Sequence, residues 1–546
     1  MLLNTVSVTL LFMIIGLPVL AIILFAIFPK INELSFAAPF SQFIPQLQDE
    51  RLIVATLNST RLALAVTFSS MLVAVVLAYM RSKMAESIGR MWDVLLLIPF
   101  LIPPYIGSMG WMQLLQSNGV LDQWLNINLS NVLFSFSGVV FVITLHLFPV
   151  IYFSAASAFK VIGQRYGDVA KIYGANSRQI FSRILLPLIV PTLLSTGLIV
   201  FVLTVEEFGT PNILGSRFGF QVMVTAIEEK MSDWPIDLSG ASVLSLLLVV
   251  IAISAYLLQM FITRRFACKL DNQTMTSVPS KNVWFSVVSN VIFFIVVCLA
   301  VVMPIFAIVS SSLMRTVSLG LQWDNLTFNA YTHLFFSNSD ALSAIYTSLG
   351  LAAMAAVITA IIGMLVAFTL IRLKPRGKAV LDILALLPNA IPAMALSVGL
   401  ILTWNQTFWP VTPYNSLLIL LLAYVCLMLP YPIRMLSNAM KQLPQSLDEA
   451  AAIYGANLFV LMYKILFPLM IPIMVASSCI VFAISTRELV ASLMLVPAGT
   501  ETVATYVFNQ FDQGSISSGM AMSFIVIVIS GALIALGQYM SKRYLS

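Results

Sequence analysis

Two short elements hold the most concentrated polar chemistry in this chain of 546 residues. The first reads YGDVAKIYGANSRQIFSRILLPLIVP from Tyr166, and the second reads LDEAAAIYGANLFVLMYKILFPLMIP from Leu447. Each has an acid (Asp168, Glu449), then small residues, then a glycine six positions on (Gly174, Gly455), and further along a proline (Pro187, Pro468). Residues of these types suit recognition rather than bond-making. An acid near the start of an Ala-rich helix gains from the helix dipole. Ala170, Ala450 and Ala451 let a partner approach closely, and the glycines can end the helix at positive φ. A second charged group stands elsewhere: Glu206 and Glu207 in VEEFGTPNILG, and Arg487 and Glu488 in TRELVASLMLVPAGTETVATYVFNQFDQG. Ionisable groups near membrane depth are costly and often mark a transport path. Here the carboxylates could guide a cation or an amine. Alternatively Arg487 pairs with Glu488, and all four face solvent or a docked protein.

Other chemistries are poorly represented. Cys268, Cys298, Cys426 and Cys479 are scattered singly, and His146 and His333 are the only histidines, so no metal-ligand spacing appears. There is no nucleophile–base constellation and no G-x-x-x-x-G-K-[ST] phosphate loop. The chain therefore reads as neither an enzyme nor an ATP binder, with no cofactor of its own. The net charge of +6 does not indicate nucleic acid, because surplus Lys and Arg in an apolar chain record membrane orientation.

The elements that must position these groups follow from composition. The chain is 60% hydrophobic and 9% charged, with a mean hydropathy of +0.99, too few charges for a solvated shell. Apolar runs of about 20 residues match the thickness a helix must cross. Their unbroken character predicts helices rather than a barrel. Spans are expected near 7–28, 58–80, 92–115, 131–157, 183–204 and 240–262, then near 283–311, 346–372, 379–404, 415–438, 464–485 and 516–537. The first is expected to be a retained helix rather than a cleaved signal, since it lacks a basic leader. With this count most of the 28 Lys and Arg fall on one side, among them Arg81, Lys83, Lys160, Arg264, Arg372, Lys441 and Arg543. That side is expected to be cytoplasmic, with both termini there. Most acids fall on the outer side, Glu228, Glu229, Asp233 and Asp237 included, a field suited to a cationic ligand or simply to loop solubility.

The spans repeat. LLLIPFLIPPYIGSMGW (95–111) aligns with LALLPNAIPAMALSVGL (384–400), pairing Pro99 with Pro388, Pro103 with Pro392, and Gly110 with Gly399. Asp93 pairs with Asp382, and Glu207 with Glu488. An even number of spans per copy makes the repeat parallel, one half at 1–263 and the other at 283–546. The polar stretch 264–282 is the expected cytoplasmic linker.

The doubled element resembles the EAA loop of ABC importer permeases: EAA, three residues, Gly, nine residues, then I-x-L-P. Glu449-Ala450-Ala451, Gly455, Ile465 and Pro468 follow it, with Phe467 at the Leu position; Asp168-Val169-Ala170, Gly174, Ile184 and Pro187 follow it with two changes. The resemblance implies an all-α, polytopic membrane protein of about 12 helices in two parallel six-helix repeats, like type I ABC importers. It also implies two copies of a separate ATPase subunit, which would bring the ATP and Mg, one under each loop, and an external substrate-binding protein. The setting it implies is the bacterial cytoplasmic (inner) membrane. The layout is most similar to the ferric-iron permease group; thiamine, aminoethylphosphonate and polyamine permeases share much of it, and an ion-coupled carrier of twelve spans is the other class weighed.

Overall fold

The computed structural model describes residues 2–31, 35–266, 282–373, 377–406 and 409–545, so most of the expected linker, 267–281, lies outside the described residues. Among those described the chain is helical, with one isolated bridge between Met314 and Leu326 as its only β pairing. This is the outcome hydrocarbon demands, since a helix satisfies its own backbone N–H and C=O groups where water cannot. Among the described residues nine helices are long and apolar enough to cross a membrane, and three bent pairs raise the total to as many as twelve. With each bent pair read as one span, the helices fall at the twelve expected positions.

The bends fall where proline puts them. The pair Glu86–Phe100 and Pro104–Leu125 turns by 93°, and Lys378–Ala390 and Ala393–Trp404 by 115°. Between them Ile102 and Ile391 are extended (ψ 122° and 120°), each directly before a proline. A proline ring excludes its predecessor from helical geometry, so both aligned spans break at the same point. A gentler response precedes Pro18, Pro187, Pro304 and Pro468. There the preceding turn widens into π form at Phe12–Gly16, Phe181–Leu185, Cys298–Val302 and Leu461–Leu466. The wider turn absorbs the missing N–H and the crowding of the ring.

Close helix approach comes from small residues. Helix Glu50–Arg81 buries Ala55, Ser59, Ala63, Ser70, Ala74 and Ala78, while Leu64, Phe68 and Leu72 on another face stay exposed, as a lipid-facing surface does. Helix Ser339–Phe368 repeats the pattern with Ala341, Ala344, Ser348, Ala352 and Ala355. Even a buried hydrogen bond is duplicated. Ser59 Oγ accepts from the Met223 N–H at 2.8 Å, and Ser348 Oγ accepts from the Val503 N–H at 2.7 Å. Each serine thereby satisfies an orphan donor at or near the start of a short helix.

Contacts divide the chain into two compact units. One comprises Met1–Leu47, Ile227–Val249 and Phe328–Ser546; the other comprises Gln48–Ala226 and Val250–Thr327. These units cut across the expected repeats 1–263 and 283–546. Within the first unit, Gly399 lies so close to the leading helix that a Cβ there would come 2.6 Å from the Pro18 carbonyl oxygen. Within the second, the aligned Gly110 would place a Cβ 3.1 Å from the Pro304 carbonyl oxygen. The first helix of each sequence half therefore packs with the third span of the other.

Candidate coupling sites

The two doubled elements are built alike at their tips and differently at their roots. At the tip, Gly174 and Gly455 adopt φ of +81° and +76°, the left-handed conformation expected for them. The N–H of Ala175 then reaches back to the Ala170 carbonyl at 3.0 Å, and that of Ala456 to the Ala451 carbonyl at 2.9 Å. This closes the exposed end of the helix in a Schellman-type turn. The following asparagine opens the next helix: Asn176 Oδ1 accepts from the Gln179 N–H at 2.9 Å, and Asn457 Oδ1 from the Val460 N–H at 2.9 Å. Gly-Ala-Asn is thus a stop, a spacer and a start. Nothing lies within 4 Å of a Cβ placed on either glycine, so Gly174→Ala and Gly455→Ala should each cost about 1–2 kcal/mol through backbone conformation alone. Unfolding of the two variants in detergent measures this; a neutral result would mean the left-handed turn is dispensable.

The small residues divide. Ala170 is buried, and Ala451 is buried in a cluster with Phe368, Leu436, Met440 and Leu466. For Ala451 the small side chain lets the loop lie close to its own bundle. Ala450 and Glu449 are exposed. Sequence reasoning also passed over a prominent apolar surface on each element. Ile172 and Tyr173 are 82% and 87% exposed, and Ile453 and Tyr454 are 84% and 90% exposed. The signal was in plain view, because Ile-Tyr-Gly-Ala-Asn is identical in both copies. A large apolar pair projecting beside a polar turn in each unit suits insertion into a partner.

At the root, the second element is a separate helix, Ser446–Ile453, with Asp448 and Glu449 in its first turn, as the dipole argument requires. The first is not. Asp168 lies near the end of one continuous helix, Phe136–Ile172, so the expectation of a short helix opened by that acid is overturned. The reason is local: Pro444 interrupts the chain ahead of Ser446, whereas Gly163 stands at the aligned position. The Asp168 side chain lies outside the described residues.

Glu207 and Glu488 do the same work in their respective units. Glu207 Oε1 accepts from the Thr210 N–H at 3.1 Å and from its hydroxyl at 3.3 Å, and Glu488 Oε1 accepts from the Ala491 N–H at 3.2 Å. Each carboxylate caps the turn that follows it. Burial pushes the Glu488 carboxyl up, opposed by the backbone N–H groups of Ala491 and Val490 and by Arg487. Glu206 and Arg487 occupy aligned, half-buried positions just before these caps. Of the acids expected on the outer side, Asp237 is paired with Lys230 Nζ at 2.9 Å. Asp93 is held by Arg81 at 2.9 Å and receives the Tyr152 hydroxyl at 2.6 Å, an anchoring role.

The sequence is similar to those of known proteins. The pattern of the family described as "Binding-protein-dependent transport system inner membrane component" matches residues 70–267 and again 360–545, each match containing one doubled element. The ferric transport system permease protein FbpB of Actinobacillus pleuropneumoniae is 26% identical over 82% of this chain and 65% of its own length. The chain thus spans just under two thirds of that relative. The Fe(3+)-transport system permease protein FbpB 2 of Haemophilus influenzae is 20% identical over 98% of both chains. The spermidine/putrescine transport system permease protein PotC of Haemophilus influenzae is 28% identical over 46% of this chain and 95% of its own length. These relatives are transport components rather than enzymes. A multi-pass helical chain with one exposed Ile-Tyr-Gly turn in each matched segment belongs, on this evidence, to the binding-protein-dependent transport system inner membrane component family, whose domain it carries twice.

Proposed function

We propose that the chain is the transmembrane subunit of an ATP-driven ABC importer, taking substrate from an external binding protein and delivering it to the cytoplasm by alternating access. The observation carrying this reading is the pair of matching, projecting turns at Ile172–Gly174 and Ile453–Gly455. Two equivalent handles call for two copies of a separate ATPase, which supplies the ATP and Mg. Asp168, Ala170, Gly174, Glu449, Ala450, Ala451 and Gly455 belong to those handles. Alanine burial sets their seating, and the exposed residues make the contact. Both handles and both termini are assigned to the cytoplasmic side of a bacterial inner membrane by the distribution of Lys and Arg. The repeat halves 1–263 and 283–546 remain the proposed units of duplication.

Ferric iron is the proposed cargo, supported by the two FbpB relatives. Glu206, Glu207, Arg487 and Glu488 are the proposed charged lining of its path. Vesicles containing the chain and its ATPase, supplied with binding protein, should accumulate radiolabelled ferric iron only with ATP inside the ATPase compartment. Accumulation of spermidine or aminoethylphosphonate instead would replace iron with an amine. Uptake driven by an ion gradient without ATP would overturn the importer class itself.

Glu207→Gln and Glu488→Gln isolate charge from capping, because the amide oxygen still accepts from Thr210 or Ala491. With iron as cargo, the double variant should transport at least about tenfold more slowly with unchanged unfolding behaviour. Full-rate uptake would remove these carboxylates from the path.

A further inference from the structure

We infer that Arg372 is a positioning residue that ties the second handle to its own transmembrane helix, replacing a mechanical link that the first handle has through unbroken helix. The inference rests on the proposed docking role of Ser446–Ile453. In the first half, Phe136–Ile172 is a single helix from the membrane to the handle, so a displacement of the handle passes directly into the span. In the second half that continuity is lost. Pro430–Gln442 ends, Leu443 turns extended (φ −73°, ψ 129°) before Pro444, and Ser446–Ile453 begins anew. A two-helix joint of this kind can flex unless something spans it.

Arg372 spans it. Its Nη1 lies 3.2 Å from Asp448 Oδ2, in the first turn of the handle, and its Nη2 donates to the Leu443 carbonyl at 3.3 Å, on the other side of the break. One planar guanidinium therefore grips both edges of the joint. It also satisfies a carbonyl that the ending helix leaves without a partner. The Arg372 side chain is only 6% exposed and that of Asp448 27%, so the contact is shielded chiefly from the arginine side. Arg372 itself sits in the π turn Thr369–Leu373, at the end of the long helix that begins at Ser339. The handle is thereby linked to that span as well as to Pro430–Gln442. Ala451 is buried on the same apolar cluster as Phe368 and Met440, which fixes the spacing over which the ion pair closes.

The aligned residues of the first half differ in type. Lys83 and Gly167 stand at the positions aligned with Arg372 and Asp448. Where Pro444 cuts the helix, Arg372 spans the cut. The Arg372–Asp448 contact is a single N–H···O bond rather than a bidentate pair.

Two measurements on the full chain test this. Amide hydrogen exchange in lipid nanodiscs, with no ATPase present, should show Ser446–Ile453 exchanging about tenfold faster in Arg372→Gln, with Ile172–Ala175 unchanged. Equal exchange in variant and wild type would overturn the clamp whatever the chain transports. In vesicles with the ATPase, Arg372→Gln and Asp448→Asn should lower substrate moved per ATP hydrolysed by at least about fivefold, while Arg372→Lys retains part of it. Variants that merely misfold lower both rates together and leave the ratio intact, which would also sink the idea. A short thiol-to-thiol cross-link in Arg372→Cys/Asp448→Cys should restore the ratio. If wild type itself shows no ATP-linked transport, the importer reading fails, while the exchange experiment still decides the clamp.

Discussion

Replacing Tyr454 with Ala is expected to release the proposed ATPase subunit from the second handle while leaving the membrane chain folded. Tyr454 is 90% exposed and its neighbour Ile453 84% exposed, so truncating either removes almost no buried surface. Substitutions at such positions change stability by about 0.5 kcal/mol or less. Inserted into a partner groove, however, an aromatic anchor beside a β-branched one has the composition of an interface hot spot. Losing about 2 kcal/mol there weakens binding about thirtyfold. Tyr173→Ala should act similarly on the first handle, where Tyr173 is 87% exposed. The double variant should lose more than either single one, because in the proposed assembly two tethered sites hold a paired ATPase by avidity and one remaining site cannot. Co-purification and titration of the ATPase against nanodisc-embedded chain would measure this. Binding within threefold of wild type in the double variant would show that the exposed Ile-Tyr pairs are not the docking surface.

Gly399→Val should strongly destabilise the apolar interior of its unit. A Cβ at Gly399 would meet the Pro18 carbonyl oxygen at 2.6 Å and the Ile22 side chain at 3.0 Å. The side chain can turn aside, but the carbonyl belongs to a helix and cannot. Overpacking of this kind costs about 1–3 kcal/mol, with the branched residue at the upper end. The aligned Gly110 is less tight, at 3.1 Å from the Pro304 carbonyl, so Gly110→Ala should be milder than Gly399→Ala. Gly350 provides the reference, since nothing lies within 4 Å of a Cβ there and it sits inside helix Ser339–Phe368. All three glycines are mid-helix, so the gain of about 1 kcal/mol in helix propensity is shared, and the contact alone separates them. Thermal unfolding in detergent should rank Gly350→Ala above Gly110→Ala above Gly399→Ala. Equal midpoints would refute the close approach of the leading helix to Ala393–Trp404.

Much of the site was legible because its chemistry is local. The glycines at 174 and 455 act within their own turns, and asparagines 176 and 457 cap helices that start beside them. The prolines at 103 and 392 break spans through their immediate predecessors. The handles' roots were harder to read. One substitution, Pro444 for Gly163, separates a free-standing helix from a continuous one, and the overall similarity of the copies masked it. Which side of each handle faces the bundle was also hidden. Ala170 and Ala451 look equally fit for a partner and for the protein's own core until the neighbouring helices are in place. The caps made by Glu207 and Glu488 rest on carboxylates that charge alone would assign to the path.

Spans, repeat and membrane setting are written in the chain because hydrocarbon is a demanding solvent. Any apolar run of sufficient length must become helix there, whatever else it touches. Proline and glycine then add breaks and turns that act over one or two residues. The choice of neighbours is a different kind of question. That Gly110 meets Pro304 and Gly399 meets Pro18, exchanging the first helices of the two halves, depends on which surfaces can approach in three dimensions. That Arg372 closes on Asp448 depends on two distant segments being brought to one joint. Neither follows from local pattern, because close packing and ion pairing are set by distance in space, and distance in space is what folding decides.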